Sequence, residues 1–401
     1  MRIATSLLGA LAALGAAGAT TVSVCKVELL WARILTGGRN ACAGAVPCPA
    51  GVASTRASMA RAKALGFDVL RFGASGFWPP DQALFRNATT RPQFLAALDG
   101  VFEDAAALGV RLIPSLLWNH WAFADLCREA LGADLMRDPA SCSYRGVRDF
   151  VSTIVARYSG AQSPHRGAVY AWEIGNELNL LPDIDHANQT TLCNPALGTP
   201  ARRTAADNFT TADMVAWQQA AAGWVREAAA SPVLISSGHA VPRPAAAHLA
   251  RSYRAPQRDW TKDTEAELQA VLQLTHTGLD LVSLHVYPTA DNSRFGKPPG
   301  YLLSVAAKAA SAASTASMKK GVYLGEFGVP LPDRRNASSP TFNFTRDMLA
   351  AAAASSAQLA TYWAWEDANQ RQTYGLFPPN ATTQNDVHTI QVLQAAAAGW
   401  G

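Results

Sequence analysis

The sequence predicts an α/β protein, a single-domain (β/α)8 TIM barrel, from three observations. Short apolar runs alternate with longer helical patterns, and each run follows a glycine, a proline or a polar break. Continuous valine, isoleucine and leucine runs joined by helices are typical of a parallel sheet covered on both faces. A length of 401 residues is common for one such barrel.

Seven strands and seven helices can be placed in order along the chain. The predicted strands are Val69 to Phe72, Arg111 to Leu117, Val169 to Gly175, Val233 to Ser236, Leu281 to Tyr287, Val322 to Glu326 and Ala360 to Trp365. The predicted helices are Val52 to Leu65, Pro92 to Leu108, Tyr144 to Arg157, Ala212 to Ala229, Thr264 to Leu274, Tyr301 to Ser317 and Arg346 to Ser356.

Closure of a barrel requires an eighth strand, and a weak stretch between Val27 and Leu35 is the candidate. An open, doubly wound sheet is the alternative architecture. It usually carries a glycine-rich turn after an early strand, and no G-x-G-x-x-G occurs at such a position. The barrel is therefore favoured.

Composition narrows the classes of partner. The apolar fraction of 49% supplies ample core, and the formal charge of +4 is spread over mostly isolated arginines. Without a basic patch, nucleic acid is not an expected partner. A metal-dependent site needs clustered ligands, and His120, Asp183 and His285 are too scattered to suggest one. We expect a monomer without a metal or an organic cofactor.

The first nineteen residues, Met1 to Ala19, have the pattern of a secretory signal peptide. The alternative is an ordinary buried helix, but the apolar run is too short to span a membrane. Six Asn-X-Ser/Thr sequons support export, and they begin at Asn87, Asn188, Asn208, Asn336, Asn343 and Asn380. We therefore expect a secreted glycoprotein consisting of residues 20–401.

All six cysteines follow the proposed cleavage point. None forms a C-x-x-C pair and no histidine cluster accompanies them, so disulfides are favoured over zinc in an exported protein. Fifteen pairings are possible. The economical choice joins Cys42 to Cys48 and Cys127 to Cys142.

Two glutamates stand at the C-terminal tips of predicted strands. Glu177 lies in AWEIGNELN and Glu326 in VYLGEFG. In a parallel barrel both carboxylates point into the same open mouth. A pair of carboxylates across a cleft is what cleavage of a glycosidic bond requires: separations of about 5 to 5.5 Å suit retention, and about 6.5 to 9.5 Å suit inversion.

The chain resembles the clan A glycoside hydrolases, and most closely glycoside hydrolase family 5, over most of residues 52–370. The resemblance implies that Glu177 is the acid/base, Glu326 the nucleophile and Asn176 a ligand of the sugar 2-hydroxyl. Further matching positions are Arg71 in VLRFG, His285 and Tyr287 in DLVSLHVYP, and Trp365 in TYWAWED. The joint match, in order and at suitable intervals, is specific to the clan.

Each match has an expected physical role. Arg71 near the nucleophile favours the ionised form of Glu326, and Tyr287 can donate to the same carboxylate. His285 can donate to the sugar or to Glu177. The charge of Glu326 is then expected to keep Glu177 protonated near neutral pH. Structural alternatives exist: Arg71 as a partner of the buried Glu173, His285 as a core histidine and Trp365 as ordinary packing.

The end of the third strand is ambiguous by one residue. The sequence Trp118-Asn119-His120-Trp121 contains a histidine near the position where family 5 often has one, and His120 or Asn119 could fill it. Trp118, Trp121 and Trp78 present aromatic faces suited to stacking on sugar rings, although such tryptophans are as often core. The segment 180–211 is either a cleft wall or a passive glycosylated excursion. Glu173 and Glu366 are expected not to take part in the chemistry.

The resemblance implies a secreted, retaining β-glycoside hydrolase acting on a β-1,4-linked polysaccharide, with mannan slightly ahead of glucan. A transglycosylase would use the same two glutamates, and an inactive carbohydrate-binding barrel is a second class. Specificity depends on rim loops whose shapes do not follow from the sequence.

Overall fold

Eight parallel strands pair in chain order and close into a barrel, which confirms the predicted fold class. The computed structural model describes residues 20–34, 47–315, 318–378 and 386–399. Within these ranges the strands are β1 (Thr21–Cys25), β2 (Val69–Gly73), β3 (Arg111–Leu117), β4 (Trp172–Gly175), β5 (Ile235–Ser236), β6 (Leu281–Val286), β7 (Gly321–Phe327) and β8 (Leu359–Trp363). Because β1 pairs with both β2 and β8, the sheet has no free edge and the doubly wound alternative is excluded.

The helices surround this barrel. Within the same ranges they are α1 (Trp31–Ile34), α2 (Pro49–Ala64), α3 (Pro79–Arg86), α4 (Arg91–Leu108), α5 (Trp121–Cys127), α6 (Cys142–Ser159), α7 (Thr211–Ala228), α8 (Ala246–Arg251), α9 (Glu265–Thr275), α10 (Tyr301–Ala313), α11 (Leu331–Arg334), α12 (Phe344–Ala354) and α13 (Val387–Ala397). All seven predicted helices are present, with ends shifted by a few residues. Short rim helices such as α3, α5 and α8 were not predicted.

The first strand differs from the prediction. The sequence predicts it between Val27 and Leu35, whereas it runs from Thr21 to Cys25. Residues 27–34 instead form a short 3-10 turn followed by α1, and Leu35 lies outside the described residues. The apolar residues of this stretch recur three and four positions apart, which places them on one face of a helix rather than on one face of a strand.

Inside the barrel, apolar side chains from five strands and from the residue just before β4 form one buried layer. Its members are Val69, Ile113, Ala171, Leu281, Tyr323 and Leu359. Two strand positions further toward the carboxyl ends, the inward side chains become charged, with Arg71 on β2 and Glu173 on β4 both fully buried. The polar chemistry is therefore concentrated at the C-terminal mouth, where barrels hold their sites.

The predicted disulfide between Cys127 and Cys142 is present and joins the end of α5 to the start of α6. Cys48 is also disulfide-bonded, and its predicted partner, Cys42, lies outside the described residues. Cys25 and Cys193 are free thiols.

Four of the six sequon asparagines, Asn87, Asn188, Asn336 and Asn343, are exposed and Asn208 is half-buried. Asn380 and the predicted signal peptide, Met1 to Ala19, lie outside the described residues. Among the helices of the described part of the chain, none has both the length and the apolar character needed to cross a membrane.

Candidate active site

Glu177 and Glu326 face each other across the C-terminal mouth of the barrel. Glu326 belongs to β7, and Glu177 lies two residues beyond the end of β4. One carboxylate oxygen of each residue and one ring nitrogen of His285 all lie within 4.8 Å of one another. The side chain of Glu177 is 34% exposed and that of Glu326 only 6%. The structure thus brings together two carboxylates in different environments.

Both carboxylate oxygens of Glu326 accept hydrogen bonds from buried donors. Arg71 Nη1 donates to Oε1 at 2.5 Å, and the hydroxyl of Tyr287 donates to Oε2 at 2.7 Å. Burial and the neighbouring Glu326 raise the pKa of Tyr287 well above its ordinary value, so the phenol keeps the proton that it donates. A guanidinium and a phenol on opposite oxygens fix the orientation of the carboxylate.

Arg71 also binds Glu173, so it contacts both of the glutamates that the sequence offered as its partners. Its Nε and Nη2 donate to the Glu173 carboxylate at 2.7–3.0 Å, and Nη2 donates to Asn176 Oδ1 at 2.8 Å. Burial by itself lowers the pKa of Arg71, but the two carboxylates outweigh it and raise that pKa well above its usual value. Glu173 lies within the barrel below the mouth, as expected.

His285 lies between the two glutamates. Its Nδ1 is 3.0 Å from Glu177 Oε1 and 3.5 Å from Glu326 Oε2. Burial raises the pKa of Glu177, but the hydrogen bond and charge of His285, with a smaller effect of Arg71, lower it below the usual value. This differs from the expectation that Glu326 keeps Glu177 protonated near neutral pH, because the imidazole is the nearer group.

An irregularity between β6 and β7 makes room for the imidazole. Leu284 pairs with Leu324, whereas His285 pairs with Glu326, so Gly325 is the extra residue on β7. Such a bulge changes the direction in which the following side chain points. A Cβ on Gly325 would lie 2.8 Å from His285 Cδ2 and 2.9 Å from its Nε2, which only a glycine avoids.

Two tryptophans stand beside this cluster. The rings of Trp118, just after β3, and Trp363, the last residue of β8, are nearly parallel, with centroids 5.8 Å apart and an interplanar angle of 16°. Arg71 Cζ lies 4.7 Å from the centre of the Trp118 ring. Both tryptophans are half-buried, so each keeps part of its surface accessible.

Trp365 does not belong to this group. It is fully buried, packs edge-on against Phe67 at 5.9 Å and donates from Nε1 to the carbonyl of Ser58. The sequence predicts a strand that reaches Trp365, but β8 ends at Trp363, and Trp365 forms an isolated bridge with Leu376 instead. Trp363 therefore occupies the mouth in place of Trp365.

Of the two candidates after β3, neither contributes an accessible side chain. Asn119 is buried and uses both ends of its amide on backbone groups, donating to Phe77 O at 2.7 Å and accepting from Trp121 N at 3.1 Å. Burial lowers the pKa of His120 to about 4, so the neutral ring donates from Nε2 to the carbonyl of Asn176 at 3.0 Å. Both residues support the mouth from below.

The comparisons with known proteins rest on structure. No protein-family model matches the chain, and no curated protein matches it in sequence. An endo-1,4-beta-mannanase from Rhizomucor miehei matches with a TM-score of 0.59 and 14% identity over 95% of each chain. A glycoside hydrolase family 5 mannosidase from the same organism matches with a TM-score of 0.56 and 12% identity, over 94% of this chain and 92% of that one.

A third solved structure is a subfamily 18 member of glycoside hydrolase family 5 from Streptomyces cattleya, in complex with GlcNAc. It matches with a TM-score of 0.58 and 16% identity, over 96% of this chain and 81% of that one. The chain shares the barrel fold of these three structures. At these identities the likeness covers architecture, and the chemistry must be argued from the side chains.

The long segment 180–211 is fastened to the rim helix α5. Arg203 pairs with Asp125 through two hydrogen bonds of 2.6 and 3.1 Å and lies 4.0 Å above the ring of Trp121. Trp121 is therefore covered, whereas the start of the segment borders Glu177. Glu366 binds Arg61 at 2.6 Å outside the cluster.

The three side chains at the mouth, Glu177, His285 and Glu326, have the donor types that bind a divalent cation. The guanidinium of Arg71, however, already supplies positive charge to Glu326.

A cavity of about 620 Å³ lies elsewhere, between α10 and α12, and neither glutamate lines it. Sequence reasoning missed Trp363 and Gly325. Trp363 could have been considered from the sequence, since it stands two residues before Trp365 in the same run.

Proposed function

We propose that the protein is a retaining β-glycoside hydrolase. The observation that carries this proposal is the close approach of Glu177 and Glu326, whose nearest carboxylate oxygens lie within 4.8 Å. Inversion needs room for a water between the carboxyl groups, at about 6.5 to 9.5 Å, whereas direct attack needs about 5 to 5.5 Å. The short separation favours a covalent intermediate.

In the proposed mechanism Glu326 is the nucleophile. Its Oε1 and Oε2 are oriented by Arg71 and Tyr287, and one of them forms a bond to the anomeric carbon. As the bond from that carbon to the leaving oxygen breaks, Glu177 transfers its proton to that oxygen. Glu177, now ionised, takes a proton from water, and the hydroxide attacks the anomeric carbon and releases Glu326.

The neighbouring side chains suit a pyranose. Asn176 Oδ1 is occupied by Arg71, while among the described residues its Nδ2 has no hydrogen-bond partner and remains free to donate to a sugar hydroxyl. Trp118 and Trp363 offer aromatic faces of the kind that stack on sugar rings. The resemblance assigns His285 and Tyr287 to the same subsite.

For the substrate we propose a β-1,4-linked polysaccharide, with mannan slightly ahead of glucan. Support comes from two structural neighbours, named as a mannanase and a mannosidase. Because one is an endo-enzyme by name, chain-internal cleavage is a reasonable first expectation. The rim loops set the specificity for one sugar over another.

A polysaccharide panel tests the proposal. Purified protein is incubated with mannan, cellulose and mixed-linkage glucan, and the products are sized. We expect reducing ends from one of them, with losses of at least about a hundredfold for Glu177→Gln and Glu326→Gln. Glu366→Gln is the control, because that carboxylate binds Arg61 away from the cluster. Longer products than the substrate indicate a transglycosylase, and binding without cleavage by the parent protein contradicts the proposal.

We also propose that the protein is exported. The Cys127–Cys142 disulfide requires an oxidising compartment, and four sequon asparagines are exposed. Cleavage after Ala19 would leave every barrel strand intact, since β1 begins at Thr21. N-terminal sequencing of the protein from a secreting host checks the cleavage point, and retention inside that host contradicts export.

A further inference from the structure

Glu177 has an unusual backbone. Its φ is +55° and its ψ is 27°, the left-handed region that residues with a Cβ rarely adopt. This conformation costs about 1–2 kcal/mol for a residue other than glycine. Because the Cα–Cβ direction follows the backbone, the position of the carboxylate depends on keeping this conformation. Neighbouring contacts must therefore hold it.

Backbone contacts hold the residue on both sides. The N–H of Glu177 donates to the carbonyl of Gly238 at 2.8 Å, and its carbonyl accepts from the N–H of Leu180 at 3.0 Å. Leu178 is buried in the core and anchors the turn between them. The chain after β5 can come this close only because it has a glycine there. Gly238 has φ +70°, and a Cβ on it would lie 1.8 Å from the carbonyl of Gly175.

One side chain adds to these backbone contacts. Asn179 Nδ2 donates to the carbonyl of Ala240 at 2.8 Å, and Asn179 Oδ1 accepts from the N–H of the same residue at 3.0 Å. Arg243 then donates to the carbonyl of Leu180 from Nε at 3.1 Å and from Nη2 at 2.5 Å. Residues 177–180 are thereby fastened to the segment 238–243.

We propose that Asn179 is a positioning residue for the acid/base, holding Glu177 in its left-handed conformation through the paired hydrogen bonds to Ala240. The inference rests on the proposed function. Among the described residues, Asn179 has no hydrogen bond to Glu177, Glu326 or His285, so it acts only through the backbone. Loss of the pair lets the turn relax and moves the carboxylate away from the leaving oxygen.

The test compares leaving groups. A dinitrophenyl leaving group departs without protonation, whereas an alkyl leaving group needs the acid. For Asn179→Ala we expect kcat/KM on an alkyl glycoside to fall by about 10- to 100-fold, since a 1 Å misplacement can cost about 100-fold. On the dinitrophenyl glycoside of the same sugar, kcat/KM should stay close to the parent value.

A matched control is Asn208→Ala, whose amide bonds His186 N and Asp185 on the same rim segment. In unglycosylated protein, Asn208→Ala should leave kcat/KM unchanged on both glycosides. Asn179→Asp, which keeps the size and the acceptor toward Ala240 N–H, covers the case in which the alanine variant fails to fold. It should show the same selective loss.

Equal losses on both glycosides would show that Asn179 only stabilises the fold, and the inference would be wrong. An unchanged profile for both Asn179 variants would overturn it too. A parent protein that cleaves neither glycoside refutes the proposed function instead, so the two failures are distinguishable.

Discussion

Glu177 and Glu326 differ in the side chains that form hydrogen bonds with their carboxyl groups. Glu326 is nearly enclosed and accepts hydrogen bonds from Arg71 and Tyr287, which hold its carboxylate in one orientation. Glu177 is more exposed and is paired with His285, which lowers its pKa. An acid with a lowered pKa is protonated only on the acidic side of neutrality. We therefore expect an acidic working range rather than the neutral one that the sequence suggested.

His285→Ala tests this assignment. Activity falls as pH rises through the pKa of Glu177, because the acid loses its proton. Removing the imidazole removes the hydrogen bond that lowers this pKa, so the alkaline limb of kcat/KM should move to higher pH. Tyr287→Phe is the control, since it removes a hydrogen bond from Glu326 but none from Glu177. An alkaline limb that stays in place or moves down after His285→Ala contradicts the assignment.

Trp363 and Trp365 provide a second comparison, two positions apart on one run. Trp365→Ala should reduce the free energy of unfolding by about 3–5 kcal/mol, because that indole is fully buried. Trp363→Ala should cost less stability but lower kcat/KM about tenfold, since aromatic contacts contribute about 0.5–1.5 kcal/mol beyond burial. Thermal unfolding and kinetics measured on both variants check this. The reverse pattern would return Trp365 to the substrate site.

The elements converge because parallel strands place all their carboxyl ends at one edge. Helix and strand periodicities were enough to locate seven strands and seven helices and to place Glu177 and Glu326 at the tips of two strands. The likeness to family 5 then implied the roles of the two glutamates. Strand ends were harder. Whether β8 ends at Trp363 or Trp365 decides which indole reaches the mouth, and alternation puts both on the same face of an extended strand.

The bulge between β6 and β7 can be tested by substituting Gly325. Gly325→Ala places a Cβ against the ring of His285 and the hydroxyl of Ser283, at 2.8 to 3.0 Å. Overpacking of this kind costs about 1–3 kcal/mol of stability. Because it also displaces the imidazole of His285, we expect most of the activity to be lost.

The matched control is Gly223→Ala in α7, where a Cβ meets nothing within 4 Å. Alanine in a helix interior stabilises by about 0.5–1 kcal/mol relative to glycine, so this variant should be slightly more stable and fully active. Full activity of Gly325→Ala, measured beside it at equal folded fraction, would show that the bulge has no part in the site.

Several features of the site could not be predicted from the sequence because they depend on distances between side chains. The first strand was misplaced because Trp31 to Ile34 continue an apolar pattern that fits a helix, while Thr21 to Cys25 directly follow the predicted signal peptide. The lowered pKa of Glu177 depends on a 3.0 Å contact with His285, and residue order alone does not show which side chain contacts a carboxylate. Asn119 was offered as a ligand because its burial cannot be read from the run Trp118 to Trp121.

Across the whole molecule, covalent links strengthen the rim that carries the site. The Cys127–Cys142 bond ties α5, which follows β3, to α6, with a sequence separation of 15. A loop of this length is expected to contribute about 3 kcal/mol. Cys127→Ser with Cys142→Ser should therefore lower the free energy of unfolding by about that amount, measured by denaturant titration of the otherwise oxidised protein. No loss of stability would show that packing alone holds this part of the rim.

In the proposed reaction Glu326 attacks the sugar while Glu177 assists. The most direct measurement is covalent trapping with a 2-deoxy-2-fluoro glycoside of the cleaved sugar, followed by peptide mass spectrometry. We expect one label per molecule, on Glu326, and none in Glu326→Gln. Label on Glu173 or Glu366, or normal turnover without any trapped intermediate, would contradict the proposed reaction.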